Sequence, residues 1–177
     1  MDAYFRFLVQ LSGIHPPIFR RFLLTTKASF YDLHIAIQTA CGWDNDHLFE
    51  FRKSRSQSIA GVPTRDGDGP PDAGEVPLAT WFGHGGHRKC VYVYDFGDSW
   101  LHDIKLEGTE HHEGDWEQKL LDGARSFPPE DCGGSFGYER CVRFATTGED
   151  PDDLAQWIGK WNPEHFDLIS TKRRFDR

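Results

Sequence analysis

With 177 residues, 38% of them hydrophobic and 14% aromatic, the chain is long enough to bury one core without disulfides or metal, and its 14 Phe and 6 Trp exclude a disordered polymer. No run approaches the roughly 18–20 apolar residues of a membrane helix, and Met1-Asp2-Ala3-Tyr4-Phe5-Arg6 lacks a signal peptide's basic-then-apolar order, so a cytoplasmic protein with no membrane association is expected. The net charge of −8 is uneven, with 7 basic and 5 acidic residues in 1–60, 9 and 22 in 61–171, and 4 and 1 in the last six, which excludes nucleic-acid binding through the whole surface.

Phe5, Phe7, Val9 and Leu11 alternate and predict a first strand. His15-Pro16-Pro17 breaks it, and Ile18 to Leu24 reads as its returning partner. Ser29 caps a helix carrying Asp32 in its first turn and an apolar stripe of Leu33, Ala36, Ile37, Ala40 and Cys41, stopped by Gly42. His47 to Lys53 alternates again and predicts a third strand.

Residues 54–77, rich in Gly and Pro, read as a mobile loop within a single domain spanning 1–177. Lys89 to Tyr94 and Trp100 to Leu106 form the clearest hairpin, joined by Asp95-Phe96-Gly97-Asp98-Ser99. An acidic connection follows from Glu110 to Trp116, then a Pro/Gly-rich segment from Phe127, a short helix over Tyr138–Phe144, and two helices opening at Asp150-Pro151 and Asn162-Pro163. The order predicts an α+β fold: a mainly antiparallel sheet with helices packed on one face and a helical C-terminus.

Two segments gather polar chemistry. Asp95 and Asp98 flank a glycine, with Trp100 and His102 on the outgoing strand; the two carboxylates and the imidazole suit a divalent metal or acid/base work. Turn aspartates also hold backbone amides, and Trp100 with His102 also suits a half-buried pair. In the second segment, Glu130-Asp131-Cys132-Gly133-Gly134, the acids serve a ligand or a cap, and Cys132 reads as a nucleophile or an inert thiol. His34 and His47 complete the metal candidates with Asp95, Asp98 and His102, each alternatively a hydrogen-bonded core histidine. No phosphate loop, dinucleotide fingerprint, nucleophile elbow or zinc-protease helix is present, and Cys41, Cys90, Cys132 and Cys141 form no Cys-x-x-Cys pair, so reduced thiols and no identifiable cofactor are expected.

Taken in order, Pro16-Pro17-Ile18-Phe19-Arg20-Arg21, Asp32-Leu33-His34 through Gly42-Trp43, His47-Leu48-Phe49, Tyr94 to His102, Pro128 to Gly134 and Asn162 to Asp167 resemble the plasmid pRiA4b open-reading-frame-three family nearly end to end. The resemblance implies a strand-rich α+β fold in prokaryotic proteins often found near plasmids or transposable elements, and no particular activity. Leu120 and Phe127 stand where many relatives carry cysteines, and Phe19 where they often carry Trp.

The leading expectation is a binding or accessory module for a protein or small-molecule ligand, using Asp95, Asp98, Trp100, His102, Glu130 and Asp131. Its alternative is a metal-dependent hydrolase of the phosphodiesterase type. A third is local nucleic-acid contact through Arg20, Arg21, Lys172, Arg173, Arg174 and Arg177.

Overall fold

The strict alternation of strand β1 (Asp2–Leu11) puts Phe5, Phe7, Val9 and Leu11 on one face, and each is at most 3% exposed in the computed structural model, which describes residues 1–54, 56–150 and 153–177. β1 lies fifth in a seven-stranded sheet of order β4-β3-β5-β6-β1-β2-β7, antiparallel throughout. The other strands are β2 (Phe19–Thr25), β3 (Phe49–Ser54), β4 (Gln57–Gly61), β5 (Lys89–Tyr94), β6 (Trp100–His112) and β7 (Gln118–Ala124). No helix among the described residues is long and apolar enough to cross a membrane.

The buried face is covered by α1 (Phe30–Cys41), α2 (Leu78–Phe82), α3 (Gly134–Thr147), α4 (Leu154–Ile158) and α5 (Leu168–Phe175). Its contents are in phase: Cys90, Tyr92 and Tyr94 of β5, and Trp100, His102, Ile104 and Leu106 of β6. The opposite face carries charges. There Arg21 pairs with Glu107 at 2.8 Å and Asp122 at 3.2 Å, and Arg6 with Glu110 at 2.7 Å, which ties β1, β2, β6 and β7 across their width.

α1 is fixed at both ends. Ser29 and Asp32 form a reciprocal capping box, and the Phe30 and Tyr31 amides donate to the Val76 and Ala73 carbonyls at 3.0 Å each. At the far end Gly42 adopts φ +82° and closes onto Gln38.

Several expectations need correction. The segment 54–77 contains β4, whose last residue Gly61 exchanges backbone hydrogen bonds of 2.9 Å with Pro71 and Ala73, while Ala73 is 1% exposed. β7 and α2 are additional to the elements expected from the sequence. β7 escapes because adjacent leucines, Leu120 and Leu121, break the period of two, and the pairing with β2 absorbs the extra residue as a register shift at Arg21/Phe22.

α3 begins at Gly134 and runs to Thr147, longer at both ends than Tyr138–Phe144. Asn162-Pro163 makes a turn in which Asn162 Oδ1 accepts from the Glu164 amide at 2.9 Å; α5 starts later, capped by Asp167. Asp150 holds the start of α4 by accepting from the Leu154 and Ala155 amides, while the helix start expected at Pro151 lies outside the described residues. Leu120 and Phe127 are 0% and 4% exposed and fill the core.

Candidate metal centre

The β3–β5 ladder ends with Phe49 opposite Tyr94, and just beyond that end the side chains of His47 and Asp95 approach one another. The Asp95 amide donates to the Leu48 carbonyl at 3.0 Å and keeps the two chains together there. Asp95 stands at φ +53° in the tight turn to β6. One of its oxygens, Oδ1, accepts from the Gly97 amide at 2.9 Å and the Asp98 amide at 3.3 Å. The other, Oδ2, lies 3.8 Å from His47 Nε2.

The glycine loop arrives from the other side. Asp98 Oδ2 accepts from the Gly133 amide at 2.9 Å, the Trp43 indole donates to the Pro128 carbonyl at 2.9 Å, and Glu130 accepts from the Asp44 amide at 2.7 Å and from the Tyr94 hydroxyl. These anchors deliver Asp131 Oδ1 to 2.8 Å from His47 Nε2. His47, Asp95 and Asp131 therefore offer three ligand atoms within 4.8 Å of one another. Burial works against charge on His47, but the Asp95 and Asp131 carboxylates outweigh it and hold the imidazole above its usual pKa.

Strain concentrates at this spot. Of the six non-glycine residues with positive φ among the described residues, four surround it: Asn45, Asp95, Ser99 and Asp131. Asn and Asp tolerate this conformation better than other side chains, at a cost that surrounding structure must hold.

The remaining candidates have other places. Asp98 is occupied by the Gly133 amide, and Glu130 by Tyr94 and Asp44. Trp100 and His102 point into the core, with the His102 ring stacked on Phe127 at 5.8 Å and its Nδ1 3.1 Å from the Trp100 carbonyl. His34 stacks on Phe49 at 3.6 Å and joins Tyr92 Oη at 2.7 Å and Asn45 through its two nitrogens. Cys132 is buried, which pushes its thiol up to about 12, opposite to what a nucleophile needs. Arg20 is buried beneath α1, whereas Arg21, next in the strand, faces Glu107 and Asp122 on the open side. Of the proposed basic patch, Arg20 is buried and Arg21 is engaged in ion pairs on the opposite face, while Lys172 to Arg174 on α5 and Arg177 reach the surface. Asp131 as a partner of His47 carries no sequence signal beyond its position before two glycines.

Burial lowers both His34 and His102 to about 4, against opposing hydrogen bonds. An unfolded histidine titrates near 6.5, so between pH ~6.5 and ~4 the unfolded chain binds more protons than the folded one. Their contribution to stability is complete above pH ~6.5 and drains away as pH falls toward 4. Urea unfolding at pH 7 and pH 5 should show a loss of up to ~1.4 kcal/mol per pH unit per histidine, and a His34→Gln variant should show a shallower slope. Equal slopes in the two proteins would contradict the assignment.

A model of a family described as plasmid pRiA4b ORF-3-like protein matches residues 3–170. An uncharacterized protein, y4hQ, of Sinorhizobium fredii (strain NBRC 101917 / NGR234) is 36% identical over 157 residues, covering 87% of this chain and 80% of its own length. The crystal structure of a protein of unknown function, MM3350, from Methanosarcina mazei Go1 superposes with a TM-score of 0.83 at 30% identity, covering 96% of both chains.

Proposed function

The chain belongs to the plasmid pRiA4b ORF-3-like family, and from that premise and the geometry at the sheet end we propose that it is a binding domain whose site is a divalent cation held by His47, Asp95 and Asp131. The observation that carries this reading is the convergence of one imidazole and two carboxylate oxygens, from three separate segments, within 4.8 Å. A nitrogen and two hard oxygens suit Mn²⁺, Zn²⁺ or Fe²⁺. The Gly97 and Asp98 amides orient Asp95 by binding the oxygen that does not face His47, as outer partners do for metal-bound carboxylates. Three protein ligands leave positions open for water or for an oxygen atom of a partner or small ligand.

The second reading, a metal-dependent hydrolase, is favoured by those same open positions, where a bound water would become a stronger acid. The connection with plasmids or transposable elements rests on the family's name and adds nothing to either reading. Four free thiols, three of them buried, accord with a reducing compartment such as the cytoplasm.

Calorimetric titration with Mn²⁺ and Zn²⁺ tests the proposal. One ion per chain should bind, saturation at about 100 times Kd should add ~2.7 kcal/mol of stability, and His47→Ala or Asp95→Asn should weaken binding at least about tenfold, or ~1.4 kcal/mol. Since the imidazole must lose its proton to bind, affinity should climb as pH rises through the elevated pKa of His47. Absence of stoichiometric binding by either ion, with the natural chain folded, removes the proposal.

A further inference from the structure

A second concavity lies on the helical side, between the C-terminal end of α1, the loop Ser126 to Glu130 and α5. Its volume of about 370 Å³ would admit a small organic molecule. Trp161 and Phe166 supply an aromatic wall, and the Trp161 indole is fixed by donating to the Phe127 carbonyl at 3.0 Å. Two guanidinium groups, Arg20 and Arg174, line the same space.

Buried cations normally face a carboxylate. Arg20 is 4% exposed and the chain carries 28 acidic residues against 20 basic ones, yet neither Arg20 nor Arg174 forms an ion pair among the described residues. Arg20 rests on neutral groups: its Nε donates to the Ala40 carbonyl at 3.0 Å, and its Nη1 to those of Phe19 at 2.7 Å and Ala124 at 3.1 Å. The Phe166 ring lies 4.1 Å from its guanidinium carbon. Arg174 Nη1 donates only to Ser170 Oγ, at 3.1 Å.

The acids nearby are committed or peripheral. Asp167 caps α5 at the Ser170 amide, Glu130 is taken by Asp44 and Tyr94, and the Asp44 side chain is exposed. Burial keeps the neighbouring Cys41 thiol protonated, and the remaining charged group acting on Arg20 is Arg174, of the same sign. Asp44, Glu130 and Asp167 line the same cleft, but none of them forms an ion pair with either arginine.

We propose that the cleft binds a small ligand bearing an oxyanion, held by Arg20 and Arg174, with an aromatic or apolar body against Trp161 and Phe166. A guanidinium fork matches carboxylate and phosphate oxygens alike. The proposal is independent of the cation site.

The test is an NMR titration that follows the Trp161 indole N–H with sodium benzoate and, separately, inorganic phosphate at low ionic strength. Benzoate should shift that resonance saturably, and Arg174→Gln, a change at an exposed position that leaves the fold intact, should weaken binding about tenfold or more. Saturable binding of phosphate alone, lost in Arg174→Gln, also supports the oxyanion site and assigns Trp161 to the scaffold. No saturable shift with either anion, or equal binding by Arg174→Gln, overturns it.

Discussion

Gly137→Ala is expected to lower stability by about 3 kcal/mol or more, the range of severe steric conflicts in a packed interior. A Cβ at this position would lie 1.5 Å from the Cys132 carbonyl oxygen and 2.4 Å from its carbon, both backbone atoms. The loop doubles back over the first turn of α3, with the Gly137 amide donating to the Gly133 carbonyl at 3.2 Å, so no side-chain rotation can relieve the overlap. The loop must move, and Asp131 moves with it. In thermal melts the variant should fall by roughly 6–12 °C, at about 2–4 °C per kcal/mol for a chain of this size. It should also lose the cation response proposed for His47, Asp95 and Asp131. Gly108→Ala is the control: its added Cβ meets nothing nearer than Arg6 Nη2 at 3.9 Å, and its melting temperature should hardly change. Equal melting of the two variants would show that the loop does not lie across the helix start.

Arg20→Ala and Arg21→Ala, adjacent in sequence, should differ by several kcal/mol. Arg20 carries three hydrogen bonds to carbonyls of three separate segments and sits against the Phe127 and Phe166 rings at 4.9 and 4.1 Å. Charged hydrogen bonds contribute about 1.5–3 kcal/mol each, without being additive, and ring stacking on a cation about 0.5–2. Truncation therefore should cost ~3–5 kcal/mol, and Arg20→Lys should recover only part, because one ammonium cannot span the same acceptors. Arg21 lies on the solvent side in pairs with Glu107 and Asp122, which contribute about 0–1 kcal/mol. Chemical denaturation of the three variants measures the contrast. Similar losses for Arg20→Ala and Arg21→Ala would refute the placement of Arg20 beneath α1.

The parts of the fold that could be read in advance are those whose side chains alternate without interruption. β1, β5 and the first half of β6 are in phase, and Ser29 with Asp32 announces α1. The short elements β4 and α2, of five residues each, contain too few periods to register; β4 pairs with β3, and α2 packs Phe82 against Phe5, Phe7 and Phe30. His102 was legible in a different sense. It is in step with Trp100, Ile104 and Leu106, so the same alternation that marks β6 also directs the ring inward.

The candidate centre was legible only as ingredients. Asp95 in a turn, His47 before a strand and Asp131 before two glycines each have an ordinary structural use. Their proximity depends on contacts between residues 36 to 86 positions apart, such as Tyr94 to Glu130 and Asp44 to Glu130. A sequence read locally contains no trace of those pairings.

The clasping of α1 has a mechanical consequence. Its leading amides are held by the chain just before α2, and its last turn by a guanidinium rooted in β2. The helix therefore cannot slide along its axis or unwind from one tip without tearing a bond to a distant strand or loop. Any working motion of this protein is thus expected to leave α1 still, as a fixed spindle, and to take place in the loops at the sheet's end.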